Sequence, residues 1–179
     1  MSAPVPTPFP PRGERGYDAD AVERFPWPVI AGYDDVHRWM DAGQAVHAAW
    51  QLRDVWESLI KFFAGLAVAD PLASAPADDP RTSPLLADLL SDGGLSVGSW
   101  VTVMERVLKA GPLPSARLPA LAPLLYPRGK PSLLVKMFVG DETAFVRWRN
   151  ECFGHGVFRK DHSYYIEKAT HWLGRLHDA

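Results

Sequence analysis

The apolar residues of this chain recur at helical spacing. Over residues 34–70, Val36, Trp39, Met40, Val46, Trp50, Val55, Leu59, Phe62, Phe63 and Leu66 fall at three- and four-residue steps, the period of helices with one buried face. One long helix or a pair of helices is expected there. Asp34 or Asp35 stands ready to cap the start, Gly43 to interrupt and Pro71 to end it. "SPLLADLLSDGG" predicts a short helix with a glycine stop. "LSVGSWVTVMERVLKAGP" predicts another, capped by Ser96 and closed by Gly111 and Pro112. From Ser132 a helix is expected to run to Gly154, burying Leu134, Phe138, Phe145, Trp148 and Cys152. The last helix, "DHSYYIEKATHWLGRLHDA", puts Ile166, Ala169, Leu173 and Leu176 on one face, with Asp161 or Ser163 as cap.

Between these segments, "PLASAPADDPRTSP" and "PLPSARLPALAPLLYPRGKP" read as loops with short turns. No stretch alternates with period two. The fold class is therefore all-α, a bundle of four to six helices over residues 31–179. Residues 1–30 carry Pro4, Pro6, Pro8, Pro10, Pro11, Pro26 and Pro28. Proline fixes φ and lacks a donor, so these residues are expected to form an extended arm, disordered or loosely docked by Phe25 and Trp27.

Composition narrows the function. A net charge of −2 gives no global basic field, so any nucleic-acid contact has to be local. The single cysteine, Cys152, excludes an intrachain disulfide and a cysteine-based zinc cluster, and a reducing cytoplasm is the expected compartment. No run reaches the ~18 apolar residues of a membrane span, and no signal peptide is recognisable, so no membrane partner is expected. No metal site and no cofactor is expected, and no phosphate-binding glycine loop follows a strand.

The chemistry concentrates in "RWRNECFGHGVFRKD", residues 147–161. Arg149 and Asn150 fall in the last turns of a helix that Gly154 should stop, and His155 follows the break. On a continuous helix a six-residue separation is about 600°, which would hold Arg149 and His155 on different faces. A glycine break removes that constraint. Arginine grips phosphate with two parallel hydrogen bonds, and histidine exchanges a proton near neutrality. A neighbouring amide such as Asn150 can orient a phosphate oxygen, and RNA brings its own nucleophile, the 2′-hydroxyl, so a metal-free ribonuclease needs little more than this. Arg147, Arg159 and Lys160 add local positive charge for substrate binding, and Trp148, Phe158, Tyr164 and Tyr165 offer faces for bases.

The segment "RNECFGH", with Arg149, Asn150 and His155 in that order, resembles the Arg-polar-then-His signature of the HEPN superfamily (higher eukaryotes and prokaryotes nucleotide-binding). "FVRWRNECFGHG" is similar to the Arg-Asn…Gly-His-Gly segment of helical domains in bacterial defence proteins. The resemblance implies a HEPN-like bundle, a metal-independent RNA endonuclease of a defence or toxin-type system, and a homodimer that pairs two motifs. Arg149 would clamp phosphate, Asn150 orient it and His155 act as acid and base. One HEPN subgroup carries a tyrosine two residues after the histidine as a nucleotidylation target; Val157 stands there, so that mode does not apply. The rival reading is a non-catalytic interaction or sensor module that docks a separate effector protein. In that reading Arg149 pairs with a carboxylate such as Glu57, Asn150 holds the helix end and His155 bonds a carbonyl at the turn. Cys152, on the apolar stripe, is expected to be buried and inert.

Overall fold

The computed structural model of the chain describes residues 8–74, 87, 95–109, 117–140, 144–153 and 160–178. Among them are eight α-helices and no strand: α1 (Ala19–Arg24), α2 (Trp27–Asp41), α3 (Ala45–Ser74), α4 (Val97–Lys109), α5 (Leu121–Leu125), α6 (Leu133–Val139), α7 (Phe145–Phe153) and α8 (His162–His177), with a 3-10 turn over Pro127–Gly129. The all-α class read from the apolar spacing is the observed one. No helix among the described residues is long and apolar enough to cross a membrane. The chain forms two compact units, Met1–Ser58 with Cys152–Ala179, and Leu59–Glu151.

In the first unit, α2 buries Val29, Ile30, Tyr33, Val36, His37 and Met40, one stripe at steps of three and four. Trp27 and Pro28 open this helix, where the missing proline N–H would have had no partner in any case. Gly43 closes it with φ +67. Its N–H donates to Met40 and that of Gln44 to Trp39, at 3.0 and 2.9 Å, the paired bonds that satisfy carbonyls at a helix end. Helix α3 begins two residues later. Its first turns bury Ala45, Ala48, Ala49, Leu52, Val55 and Trp56, and α8 supplies Tyr165, Ala169, Trp172 and Leu173. The Trp56 indole donates to the Trp172 carbonyl at 3.3 Å, with the two rings edge to face at 5.5 Å. Asp161 caps α8 by accepting the Tyr164 N–H at 2.9 Å, which holds its carboxyl below the usual range.

The segment expected to be an extended arm differs. Residues 19–24 are helical and α2 starts at Trp27. The two aromatics expected to dock it are exposed, Phe25 at 52 % and Trp27 at 77 %, whereas Phe9 is buried. The prolines cluster before residue 12 and at 26 and 28, so the stretch between them is free to turn, and a proline in a first turn is compatible with a helix.

The second unit packs α4 against α5 and α6. Val68 and Val103 meet with Leu72, Leu95 and Val107 around them. Ser96 caps α4, as expected, by accepting the Ser99 N–H at 3.1 Å. Pro71 does not end α3, which continues to Ser74; a proline forfeits one hydrogen bond but leaves the next turn its own. The single helix expected from Ser132 to Gly154 is two helices, α6 and α7, parted after Val139. Its predicted stripe holds at Phe138, Phe145, Trp148 and Cys152, all buried. The predicted helix over residues 83–94 lies almost wholly outside the described residues.

Candidate functional site

Helix α7 ends at Phe153, so Arg149 and Asn150 occupy its last turn and a half. Arg149 is half-buried and Asn150 exposed. The Arg149 guanidinium donates from Nη1 to Asn150 Oδ1 at 3.2 Å. That bond uses the Asn150 amide oxygen as its acceptor. Arg147, two residues before Arg149 and exposed, donates from Nε to Glu151 at 2.8 Å, an i,i+4 pair. The sequence reading treats Arg147 as a phosphate contact, yet its charge is offset within its own helix. Glu57, the carboxylate expected as a partner for Arg149 in the structural reading, is half-buried on α3.

Beyond the helix, Lys160 is exposed and its Nζ lies over the Tyr164 ring, 5.4 Å from the centroid. Lys168 reaches the same ring at 5.5 Å, so cations already occupy the neighbourhood of a face read as a base platform. Cys152 is buried as expected, its Sγ 2.7 Å from the Tyr164 hydroxyl. His155 and Arg159 lie outside the described residues, and so does any approach of His155 to Arg149. His162, at the start of α8, is exposed. Among the described residues no group of three or more His, Cys, Asp or Glu side chains could hold a metal ion.

A second constellation, in the first unit, escapes the sequence reading. His37 is fully buried on α2, and neither ring nitrogen has a hydrogen-bond partner. Tyr17 and Tyr33 meet it edge to face, each at 4.8 Å, and the His177 ring stacks on it at 6.3 Å. Burial first, and then the Arg15 charge, lower its pKa to about 4, so the ring is neutral near pH 7. The Tyr33 hydroxyl lies 3.1 Å from His177 Nε2 and receives the Asp18 N–H at 3.1 Å. Burial raises the Tyr33 pKa and lowers that of His177. Gly16, at φ +74, lies beneath His177; a Cβ there would stand 2.8 Å from the imidazole Nδ1, so the turn needs a glycine.

Two arginines tie the same turn to α2. Arg15 is buried and its Nη2 is 2.5 Å from Asp41 Oδ1 and 3.4 Å from the His37 carbonyl. Arg12 bonds Asp41 at 2.5 Å and Asp34 at 3.3 Å, and the Tyr17 hydroxyl donates to Asp34 at 3.2 Å. Burial would raise both carboxyls, but hydrogen bonds from Arg38 and Tyr17 to Asp34, and from Arg15 and Arg12 to Asp41, outweigh it and lower them. The only sequence signal for this cluster is register: His37 lies one turn after Tyr33 on the buried face of α2. Its other neighbours come from residues 12–17 and 177, which no local pattern links to it. The rings fill the space around His37, and this is a packed clasp rather than an open cleft.

No protein-family model, curated protein or solved structure matches this chain.

Proposed function

We propose that this chain is a HEPN-like, metal-independent RNA endonuclease module of a bacterial defence or toxin-type system, with Arg149, Asn150 and His155 as its working residues. The observation that carries the reading is the Arg149–Asn150 pair at the end of α7, a guanidinium hydrogen-bonded to an exposed amide. A guanidinium fixed in this way meets a phosphate with less rotamer freedom left to lose. Asn150 keeps its NH₂ donors for a phosphate oxygen. In this mechanism His155 takes the proton of the RNA 2′-hydroxyl, the 2′-oxygen bonds to the adjacent phosphorus as the P–O5′ bond breaks, and the protonated His155 returns the proton to the leaving 5′-oxygen. The product ends in a 2′,3′-cyclic phosphate. Arg149 stabilises the charge on the phosphorane, while Lys160 and Arg159 supply attraction for the strand. Two copies would each contribute one motif.

The alternative, a non-catalytic module that docks an effector protein, draws on the half-burial of Arg149: an arginine bonded to its helix neighbour also secures a helix end. One experiment separates them. Purified chain is incubated with end-labelled single-stranded RNA in EDTA, beside His155→Ala and Arg149→Lys. Cleavage to cyclic-phosphate ends by wild type, lost in His155→Ala and impaired in Arg149→Lys at unchanged melting temperature, is the expected result. Absence of cleavage by wild type, with both variants destabilised by ~1–3 kcal/mol, would leave the docking module standing.

A further inference from the structure

We propose that residues 11–17 form an acid-released clasp: a self-contained turn that seals the His37 imidazole at neutral pH and lifts off α2 and α8, with the helices left in place, when that imidazole takes a proton. This device is independent of the chemistry proposed for Arg149.

The turn is built to move as a unit. Its backbone hydrogen bonds close on themselves: the Glu14 and Arg15 N–H groups donate to the Pro11 carbonyl at 3.0 and 3.1 Å, that of Gly16 to Gly13 at 3.4 Å and that of Tyr17 to Arg12 at 3.1 Å. Among the described residues no backbone–backbone bond joins the turn to a helix. Side chains make the attachment instead. Arg12 and Arg15 hold Asp41, and Arg12 and Tyr17 hold Asp34. The Tyr33 hydroxyl receives the Asp18 N–H and lies 3.4 Å from the Gly16 carbonyl. Lifting the turn therefore gives up side-chain contacts and breaks no helix, as in segments that open below the free energy of global unfolding.

What the turn covers is a proton acceptor with no partner for a proton. His37 is fully buried and neither ring nitrogen is hydrogen-bonded. Tyr17 from the turn, Tyr33 from α2 and His177 from α8 enclose the ring. The charged groups around it are Arg12 and Arg15 from the turn, Asp34 and Asp41 from α2, and His177 with Asp178 at the end of α8. Asp41 favours a proton on His37, but it is bound by both arginines, and burial and Arg15 outweigh it to hold the ring at about 4. Lifting the turn removes both guanidinium groups and the Tyr17 ring and admits water, where the ordinary 6.5 applies. The sign follows: the open form binds a proton that the closed form refuses, so opening is favoured as pH falls from 6.5 towards 4, roughly fifty-fold between pH 7 and pH 4.5. His177 is depressed too, by burial, with Nε2 on the Tyr33 hydroxyl, and pushes the same way. Above pH 6.5 neither ring is charged and the clasp stays shut.

The test is amide hydrogen exchange on the full chain at pH 7 and pH 4.5, each rate divided by its intrinsic rate at that pH. Tyr17 and Asp18 report the turn, and Leu52 and Trp172 report α3 and α8. At both pH values the turn amides should be about a hundredfold or more less protected than the helix amides, the mark of local opening. Their protection should fall roughly fifty-fold on going to pH 4.5 and return at pH 7, with helical circular dichroism unchanged. His37→Phe should remove most of that fall, and His37→Leu repeats the test with a smaller side chain. Tyr17→Leu, which gives up the Asp34 bond, should lower protection of the turn at pH 7 and keep the pH dependence. Turn and helix amides that exchange at one common rate would show that the turn opens only when the whole chain unfolds, and would overturn the proposal. So would turn protection that is independent of pH, or a fall of the same size in both His37 variants.

Discussion

A neutral imidazole sealed among Tyr17, Tyr33 and His177 makes the fold sensitive to acid. The folded His37 pKa, about 4, lies below its ordinary 6.5, so between those values the unfolded chain binds a proton that the folded one refuses. Its contribution is fully present above pH 6.5, declines as pH falls through the window, and is gone below about 4, a loss of up to about 3 kcal/mol. His177, also depressed, acts in the same direction. Urea unfolding at pH 7.5 and pH 4.5 should show a lower midpoint in acid, and His37→Phe should remove most of the difference. Because neither ring nitrogen holds a hydrogen bond, that substitution should cost less than ~1.5 kcal/mol at pH 7.5. Equal acid sensitivity in the variant would place the proton elsewhere. Little of this was legible beforehand. The spacing of α2 marks position 37 as buried, but the Tyr17 and His177 contacts are long-range and carry no periodic signature.

At the scale of elements, helical spacing located α3, α4 and α8 well, because each keeps its apolar stripe over several turns. It failed where a break was decided by backbone packing. The helix expected from Ser132 parts after Val139, and a Cβ on Gly140 would stand 2.5 Å from the Lys136 carbonyl. That contact is invisible in a pattern of apolar positions. Gly140→Ala should therefore destabilise the chain despite alanine's higher helix propensity, by about 1–3 kcal/mol, and a raised melting temperature would refute the clash. Trp148 is buried, as its place on the stripe predicts, and Trp148→Ala should cost roughly 3–5 kcal/mol in chemical denaturation. The arm teaches the opposite lesson. Proline content marks it as loosely held, yet Phe9 and Arg15 are buried and Arg12 and Arg15 both reach Asp41. Deleting residues 1–18 uncovers His37 and leaves Asp41 without its two arginines. The melting temperature should fall by many degrees, and an unchanged value would show that the clasp contributes nothing to stability.

At the scale of the whole chain, the net charge of −2 bears on the proposed RNA chemistry. With no global field, the proposal has attraction rest on the few cations around the Arg149 motif. Arg147 is already paired with Glu151, which leaves Arg149, Arg159 and Lys160 as the counterion-releasing contacts. Three phosphate contacts to a single strand give a slope of about −2 in log K against log salt. Fluorescence anisotropy with a labelled RNA across a salt series should return that shallow slope. Lys160→Glu should flatten it by roughly one contact, about 0.7, with little change in melting temperature, because Lys160 is exposed. A slope several times steeper would mean that the strand runs over other cations, with the exposed Arg117, Arg128, Lys130 and Lys136 the next to reverse. A slope near zero, unmoved by Lys160→Glu, would remove RNA from the reading of the Arg149 motif. The short motif names residue types that suit phosphodiester chemistry, but it does not encode how many phosphates the surrounding surface can neutralise; this measurement does.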